Sequence, residues 1–443
     1  MLYHSTNNNS PKVNFKEATI RGQAPDKGLY FPNSIPVLSK EFLKSFKQKS
    51  KAQIAFEVIR PYVGDTITEE DLFQICEHTV NFNFPLVPVS KNISSLELFH
   101  GPTLAFKDVG ARFMSRCLGY FSKTNQRKVT VLVATSGDTG SAVANGFLGV
   151  DGVDVVILYP SGKVSKIQEL QLTTLGQNIT ALEVKGTFDD CQQMVKQAFT
   201  DAVLNEKLFL TSANSINVAR WLPQQFYYFY ALQQWQNEEP PVVCVPSGNF
   251  GNICAGLIAA VSGLPVKHFV AACNSNDVFT KYLSSGNLNS QQAVATISNA
   301  MDVGNPSNLV RLLELFGNDF NRIKNFISSY SINDAETSAT IAWVYKEYNY
   351  TLDPHGAVAY VSLEKYFNEV VGQATNNNEQ GATKNSGLFL ETAHPVKFSD
   401  VVEKATGAAI EFPDSMQYLL TLKKKSVEIE AKYEALKENL FLL

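Results

Sequence analysis

No stretch of about 18 uninterrupted apolar residues occurs in this chain, so a membrane-spanning helix is not expected. No Cys-x-x-Cys pair occurs either. The six cysteines (Cys76, Cys117, Cys191, Cys244, Cys254 and Cys273) stand singly in apolar periodic stretches, which implies reduced core thiols in a cytoplasmic protein. The six histidines show no His-Glu-x-x-His or comparable ligand spacing, so no metal site is expected. Met1–Asn7 carry neither an apolar signal core nor an arginine-rich amphipathic pattern, and no targeting segment is expected. Net charge is low: −4 in total, which disfavours nucleic acid or an anionic membrane as the main partner. There is no internal repeat. What is present is an ordinary globular balance, 44% apolar and 18% charged over 443 residues, enough chain for two to three domains with buried cores.

Short β-branched runs alternate with helical patterns. The runs are Val129–Ala134, Asp154–Tyr159, Ile179–Val184, Leu208–Ser212, Pro241–Val245, Lys267–Cys273 and Leu388–Thr392. Between them lie amphipathic stretches such as Phe188–Leu204, Ala219–Trp235, Ile253–Ser262 and Ala335–Tyr348. Alternation of this kind predicts an α/β architecture, parallel sheets with helices on both faces. Ser39–Tyr62 reads as helical and Ala18–Pro32 as turn-rich. Gly372–Gly387 reads as a polar surface loop, and the last thirty residues as a closing amphipathic helix. The expected division is an N-terminal region 1–95, a smaller α/β domain 96–240 with chain crossing between domains, and a larger α/β domain 241–443 that includes the C-terminal helix.

Lys107 lies within His100-Gly-Pro-Thr-Leu-Ala-Phe-Lys-Asp-Val-Gly110, where a Gly-Pro-Thr turn runs into an apolar helical pattern. That puts a lysine in the first turn of a helix, the end where the dipole disfavours a cation. Apolar neighbours there lower its proton affinity, and a neutral amine is what Schiff-base chemistry needs. The same segment also fits a surface lysine whose stem follows the helix while its head reaches water.

Two further segments follow strands directly and open helices: Thr135-Ser-Gly-Asp-Thr-Gly-Ser-Ala142 and Pro246-Ser-Gly-Asn-Phe-Gly-Asn252. Glycines at a strand-to-helix turn let backbone amides converge on an anion at the helix N-terminus. Each turn alone is equally a plain helix cap. Neither carries the Gly-x-x-x-x-Gly-Lys-Ser/Thr pattern or a dinucleotide fingerprint, which disfavours ATP and NAD.

These three segments resemble the cofactor lysine, the asparagine-type loop and the phosphate loop of fold type II pyridoxal-phosphate enzymes, specifically the threonine synthase family. Further matching segments are Tyr3-His-Ser-Thr6 with Gly28-Leu-Tyr-Phe-Pro32, Asn214-Ser-Ile-Asn-Val-Ala-Arg220 and Glu391-Thr-Ala-His-Pro-Val-Lys-Phe398, so the resemblance spans nearly the whole chain. It implies a tryptophan synthase β-like fold with the cofactor, pyridoxal 5′-phosphate, in the cleft between two domains. It also implies a lyase that converts O-phospho-L-homoserine and water to L-threonine and phosphate by γ-elimination and β-addition of water, acting as a monomer or homodimer. One departure is Asp26-Lys-Gly28, where the family more usually has Asp-Gly-Gly.

The resemblance assigns Lys107 the Schiff base and the proton transfers. Gly248, Asn249, Phe250, Gly251 and Asn252 hold the cofactor phosphate, and Thr392 places a hydroxyl near the pyridine nitrogen. Asp138 stands where relatives carry Asn beside the phenolic oxygen, with its protonation state open. Ser136 and Thr139 are expected to grip the substrate carboxylate, though both also fit a helix cap. Asn214, Asn217 and Arg220, with Lys163 and Lys166 as further cations, are the substrate candidates; a guanidinium can grip phosphate by two hydrogen bonds. His100 and His394 are expected to be structural, His355 to mark a helix start, and Phe226–Tyr230 to be core. Two alternatives stay open: a related lyase or dehydratase that releases a 2-oxo acid, and an inactive cofactor-binding relative.

Overall fold

The computed structural model describes residues 1–123, 128–376 and 386–442. Three sheets organise the described residues. A short antiparallel pair joins β1 (Tyr3–Ser5) to β2 (Tyr30–Pro32). Six strands form the larger sheet: β3 (Leu86–Pro88), β4 (Ile93–Glu97), β9 (Val242–Pro246), β10 (His268–Cys273), β11 (Ile327–Ser331) and β12 (Gly387–Glu391), in the order β11-β10-β9-β12-β4-β3. All its pairings are parallel except the edge pair β3–β4. The five-stranded sheet is parallel throughout: β5 (Val129–Ala134), β6 (Val153–Pro160), β7 (Ile179–Lys185), β8 (Phe209–Ser212) and β13 (Val427–Glu430), in the order β13-β7-β6-β5-β8.

Parallel strands are covered on both faces, so they need near-continuous apolar runs. β5 and β6 meet that need with every residue buried. In each sheet the chain order reverses beside one strand: β12 enters next to β9, and β8 next to β5. Open α/β sheets bind ligands outside the carboxyl ends of strands at such reversals. The turns after β5 and β9, 135–137 and 247–250, fall at those two places.

The seven strands read from the sequence are present. The aromatic run Phe226–Tyr230 is fully interior, and all six cysteines are free and buried. Several expectations need correction. Ala18–Pro32 is not simply turn-rich: helix Phe15–Arg21, capped by Asn14, enters it and β2 ends it. Ser39–Tyr62 breaks into helices Lys40–Ser45 and Lys51–Val63, the second started by a capping box from Ser50 and Gln53.

The last thirty residues are not one helix. β13 interrupts them and pairs in parallel with β7, and only Tyr433–Leu440 forms the closing helix. Asp201 clamps that helix, accepting from Tyr433 Oη and Lys437 Nζ at 2.6 Å each. The C-terminal segment therefore joins the smaller sheet, because the free edge of β7 offers it backbone partners. At the other boundary, β4 straddles position 95 and belongs to the larger sheet. Helix Pro354–Asn376 runs into the stretch expected to be a loop, and 377–385 of that stretch lie outside the described residues. Among the described residues, no helix is long and apolar enough to cross a membrane.

Candidate active site

Lys107 is the first residue of helix Lys107–Ser122. The turn before it is locked from several sides. The buried carboxylate of Asp108 accepts from Thr103 N at 2.9 Å and Thr103 Oγ1 at 2.5 Å. Phe106 N donates to the carbonyl of Thr392 at 2.9 Å, and Ala105 bridges Ala393. Tyr227 Oη donates to the carbonyl of Phe106. The lysine and the end of β12 are thus tied together, which brings Thr392 beside Lys107.

The Lys107 amine faces Asp138, the first residue of helix Asp138–Phe147, with Nζ 3.8 Å from Oδ2. The turn that presents Asp138 is closed by Thr135 Oγ1, which accepts from Gly137 N at 2.9 Å and Gly140 N at 2.8 Å. Gly137 has φ +137°, and a Cβ there would meet the Gln168 side chain at 2.4 Å. Gln168 can therefore reach over it and donate to Asp138 Oδ1 at 2.9 Å. The same oxygen receives a charge the sequence reading did not assign: Lys397 Nζ, fully buried, lies 2.6 Å from Oδ1 and donates to Thr103 O at 2.9 Å. Removing one partner of such a buried pair typically costs about 3–5 kcal/mol.

Burial would by itself raise the pKa of Asp138. The ammonium groups of Lys397 and Lys107 and the Gln168 amide reverse this and hold the carboxylate far below its ordinary range. For Lys107 the signs oppose. Burial lowers its proton affinity, Asp138 works against that, and Lys397 and Arg220 add to the lowering.

Phe250 opens helix Gly251–Val261 with φ +62° and no side-chain cap. None of the backbone amides from Gly248 to Ile253 donates to an acceptor among the described residues. A buried side-chain donor, Asn252 Nδ2, is also without a partner there, while Tyr228 Oη donates to Asn252 Oδ1 at 3.0 Å. Gly248 is pressed against the 299–301 segment, so that a Cβ would lie 2.6 Å from Met301 Cα. Unspent donors at a helix N-terminus, closely backed by main chain, fit a phosphate.

Behind Thr392, a buried pair links the two ends of the site. Asp353 Oδ2 accepts from Ala393 N at 3.2 Å, and Oδ1 lies 2.6 Å from His355 Nδ1. His355 Nε2 accepts from Ala300 N at 3.2 Å, so Nδ1 carries the proton toward Asp353. His355 indeed lies in the first turn of helix Pro354–Asn376. The adjoining Glu391 is fully buried, and burial together with Asp353 pushes its carboxyl well above the ordinary range.

The expected substrate residues divide. Ser136 and Thr139 are half-buried on either side of Gly137–Asp138, and the hydroxyl that ties the turn is that of Thr135. Asn214 is half-buried, its Oδ1 without a partner among the described residues. Arg220 is buried, donates from Nη1 to Ala213 O, leaves Nε without a partner among the described residues, and acts on Lys107 through its charge.

Asn217 does not join the site. Its amide donates to Thr19 O and Ser212 O, and its Oδ1 caps Val218–Trp221 through Ala219 N. Lys163 is exposed on the turn after β6, outside the buried cluster around Asp138. His394 is structural: burial lowers it to about 4, and its Nδ1 accepts from Val396 N at 3.1 Å.

A lysine of lowered proton affinity facing one glycine turn, with a second glycine turn whose amides are open, on two mainly parallel sheets, is what a pyridoxal-phosphate-dependent enzyme needs, and that described family matches residues 94–375. Flanking it, "Threonine synthase N terminus" matches residues 2–80 and "Threonine synthase, C-terminal" residues 367–439. The threonine synthases of Escherichia coli and of Buchnera aphidicola from Acyrthosiphon pisum are each 40% identical over 440 residues, 99% of this chain and of theirs. Among solved structures, that of the Escherichia coli threonine synthase matches with TM-score 0.90 and 39% identity over 100% of both chains. The cofactor-bound threonine synthase of Brucella melitensis matches with TM-score 0.91 and 33% identity over 99% of this chain and 98% of that one. The chain belongs to the threonine synthase family, and its cofactor is pyridoxal phosphate.

Proposed function

We propose that this chain converts O-phospho-L-homoserine and water to L-threonine and phosphate, with Lys107 as the residue that moves the protons. The observation that carries this is the Lys107 amine itself. Burial lowers its proton affinity, and its nearest carboxylate stands 3.8 Å away rather than in a tight pair. Pyridoxal phosphate, when bound, delocalises the negative charge left by loss of the α-proton.

The protein's own groups do the rest. Open amides at Gly248–Asn252 suit the cofactor phosphate, and the Thr392 hydroxyl, held beside Lys107 by the Phe106–Thr392 bond, suits the ring nitrogen. The half-buried hydroxyls of Ser136 and Thr139 suit the substrate carboxylate. Arg220 and Asn214 are the groups best placed to act on the substrate phosphate; Lys163 could contribute only from the surface. The Lys107 amine takes the α-proton and then a β-proton; phosphate leaves from the γ-carbon, which takes up a proton to become the methyl group, and water adds at the β-carbon as the α-carbon regains a proton. The reaction needs a small-molecule substrate, with neither nucleic acid nor membrane as a partner. A cytoplasmic monomer or homodimer fits this chemistry and the low net charge.

Incubation with O-phospho-L-homoserine tests the reading: threonine and phosphate should appear, and a 2-oxo acid in their place would refute it. Lys107→Ala should lose the visible absorbance of lysine-bound cofactor and at least about a hundredfold in turnover.

A further inference from the structure

We propose that Lys397 is a positioning residue: by gripping Asp138 it keeps the Lys107 amine out of a tight ion pair and so available for reaction. The proposal rests on Lys107 being the reactive amine.

The geometry is one carboxylate between two lysines, held unequally. Oδ1 of Asp138 is 2.6 Å from Lys397 Nζ and 2.9 Å from Gln168 Nε2, whereas Oδ2 is 3.8 Å from Lys107 Nζ. The first two are hydrogen bonds and the third is too long to be one. Lys397 is itself anchored. Its side chain is wholly buried, it donates to Thr103 O at 2.9 Å, and it stands in the short 3₁₀ turn Pro395–Phe398, which His394 caps. Thr103 is in turn held by Asp108, one residue after Lys107.

The position of Asp138 makes this arrangement necessary. An ionised aspartate within about 4–6 Å of a lysine favours the ammonium, by about one to three pKa units. A second, closer cation opposes that tendency, holding Oδ1 at 2.6 Å and adding its own positive charge beside the amine. The charged groups facing Lys107 are Asp138 from helix Asp138–Phe147, Lys397 from the 395–398 turn and Arg220 from helix Val218–Trp221. Of these, Lys397 alone contacts Asp138 directly.

The test reads the amine in the full-length chain stripped of cofactor, by reductive methylation with formaldehyde across a pH series and peptide mass spectrometry of Lys107. In Lys397→Met the midpoint for Lys107 modification should rise by about one pH unit or more, which is about tenfold slower labelling at a fixed pH below it. In Asp138→Asn/Lys397→Met it should return to the wild-type midpoint or below. An unchanged midpoint in the single variant overturns the proposal. So does a double variant as shifted as the single one, since Lys397 would then not act through Asp138. Should Lys397→Met not fold, Lys397→Gln carries the same expectation, because it keeps a donor but no charge. The reading of function fails on other evidence, the loss of threonine formation or of the visible absorbance, so the two failures are distinguishable.

Discussion

Asn249 in the glycine turn after β9 donates from Nδ2 to Ser215 Oγ at 2.6 Å, joining the phosphate turn to the Asn214–Arg220 segment. Asn308 reinforces the joint, donating to Ser215 Oγ at 3.2 Å and Asn249 O at 3.0 Å. Fully buried Arg311 supports Asn308 Oδ1 at 2.7 Å and stacks 4.6 Å from the centre of the Trp221 ring. Ser215→Ala leaves the Asn249 amide short of a partner. At about 1 kcal/mol for such a hydrogen bond, cofactor affinity should fall about fivefold. Titration of cofactor-free protein with pyridoxal phosphate, followed by absorbance, measures it; unchanged affinity would mean that Asn308, with Ser307 N donating to Asn249 Oδ1 at 2.6 Å, holds the turn alone.

Gly248→Ala addresses the same turn from behind. A methyl there would sit 2.6 Å from Met301 Cα, a main-chain atom that cannot swing aside as a side chain would. Overpacking of this kind costs about 1–3 kcal/mol and must move the turn or the 299–301 segment. Cofactor affinity should drop by about tenfold or more, together with a lower thermal midpoint. A variant that binds normally would show that the segment yields.

Lys27 occupies a left-handed conformation, φ +68°, in the stretch Asp26-Lys-Gly28. The Asp26 carboxylate fixes the turn, accepting from Ser5 Oγ at 2.6 Å and Gly28 N at 2.9 Å, so the lysine cannot relax. The left-handed region costs a side-chain-bearing residue roughly 1 kcal/mol. Lys27→Gly should therefore stabilise the protein by up to about 1 kcal/mol in denaturant unfolding, and a loss of stability would contradict this.

His268 predicts a pH dependence. It stacks on Tyr366 at 4.9 Å, its Nε2 lies 2.9 Å from Ser328 Oγ, and burial lowers it from 6.5 to about 4. Between those values the unfolded chain binds a proton that the folded chain refuses, so stability falls as pH falls from 6.5 toward 4 and is unaffected by this group above 6.5. The slope is at most about 1.4 kcal/mol per pH unit for each such histidine. His394, also lowered to about 4, acts in the same direction. Thermal midpoints from pH 4 to 8 should show the decline, and His268→Gln should flatten it in part. An identical profile in the variant would rule His268 out.

The strands that could be read in advance are those whose environment matches their composition. β5, β6, β9 and β12 lie inside parallel sheets, and both faces demand apolar side chains. β4 (Ile-Ser-Ser-Leu-Glu), β11 (Ile-Ser-Ser-Tyr-Ser) and β13 (Val-Glu-Ile-Glu) carry no such run, and become strands because a neighbour offers hydrogen bonds.

By itself the sequence determined what depends on near neighbours in the chain: Lys107 at the head of a helix, the two glycine turns after buried strands, and the motifs of a pyridoxal-phosphate enzyme. Tertiary structure alone decided which distant charges meet. It set Lys397 against Asp138, committed Asn217 to Thr19 and Ser212, left Lys163 at the surface, and carried the C-terminal strand to the smaller sheet. The reason is physical. Helix starts and turns follow from local backbone sterics and hydrogen bonds, whereas the protonation of a buried amine depends on every charge folded to within a few ångströms of it.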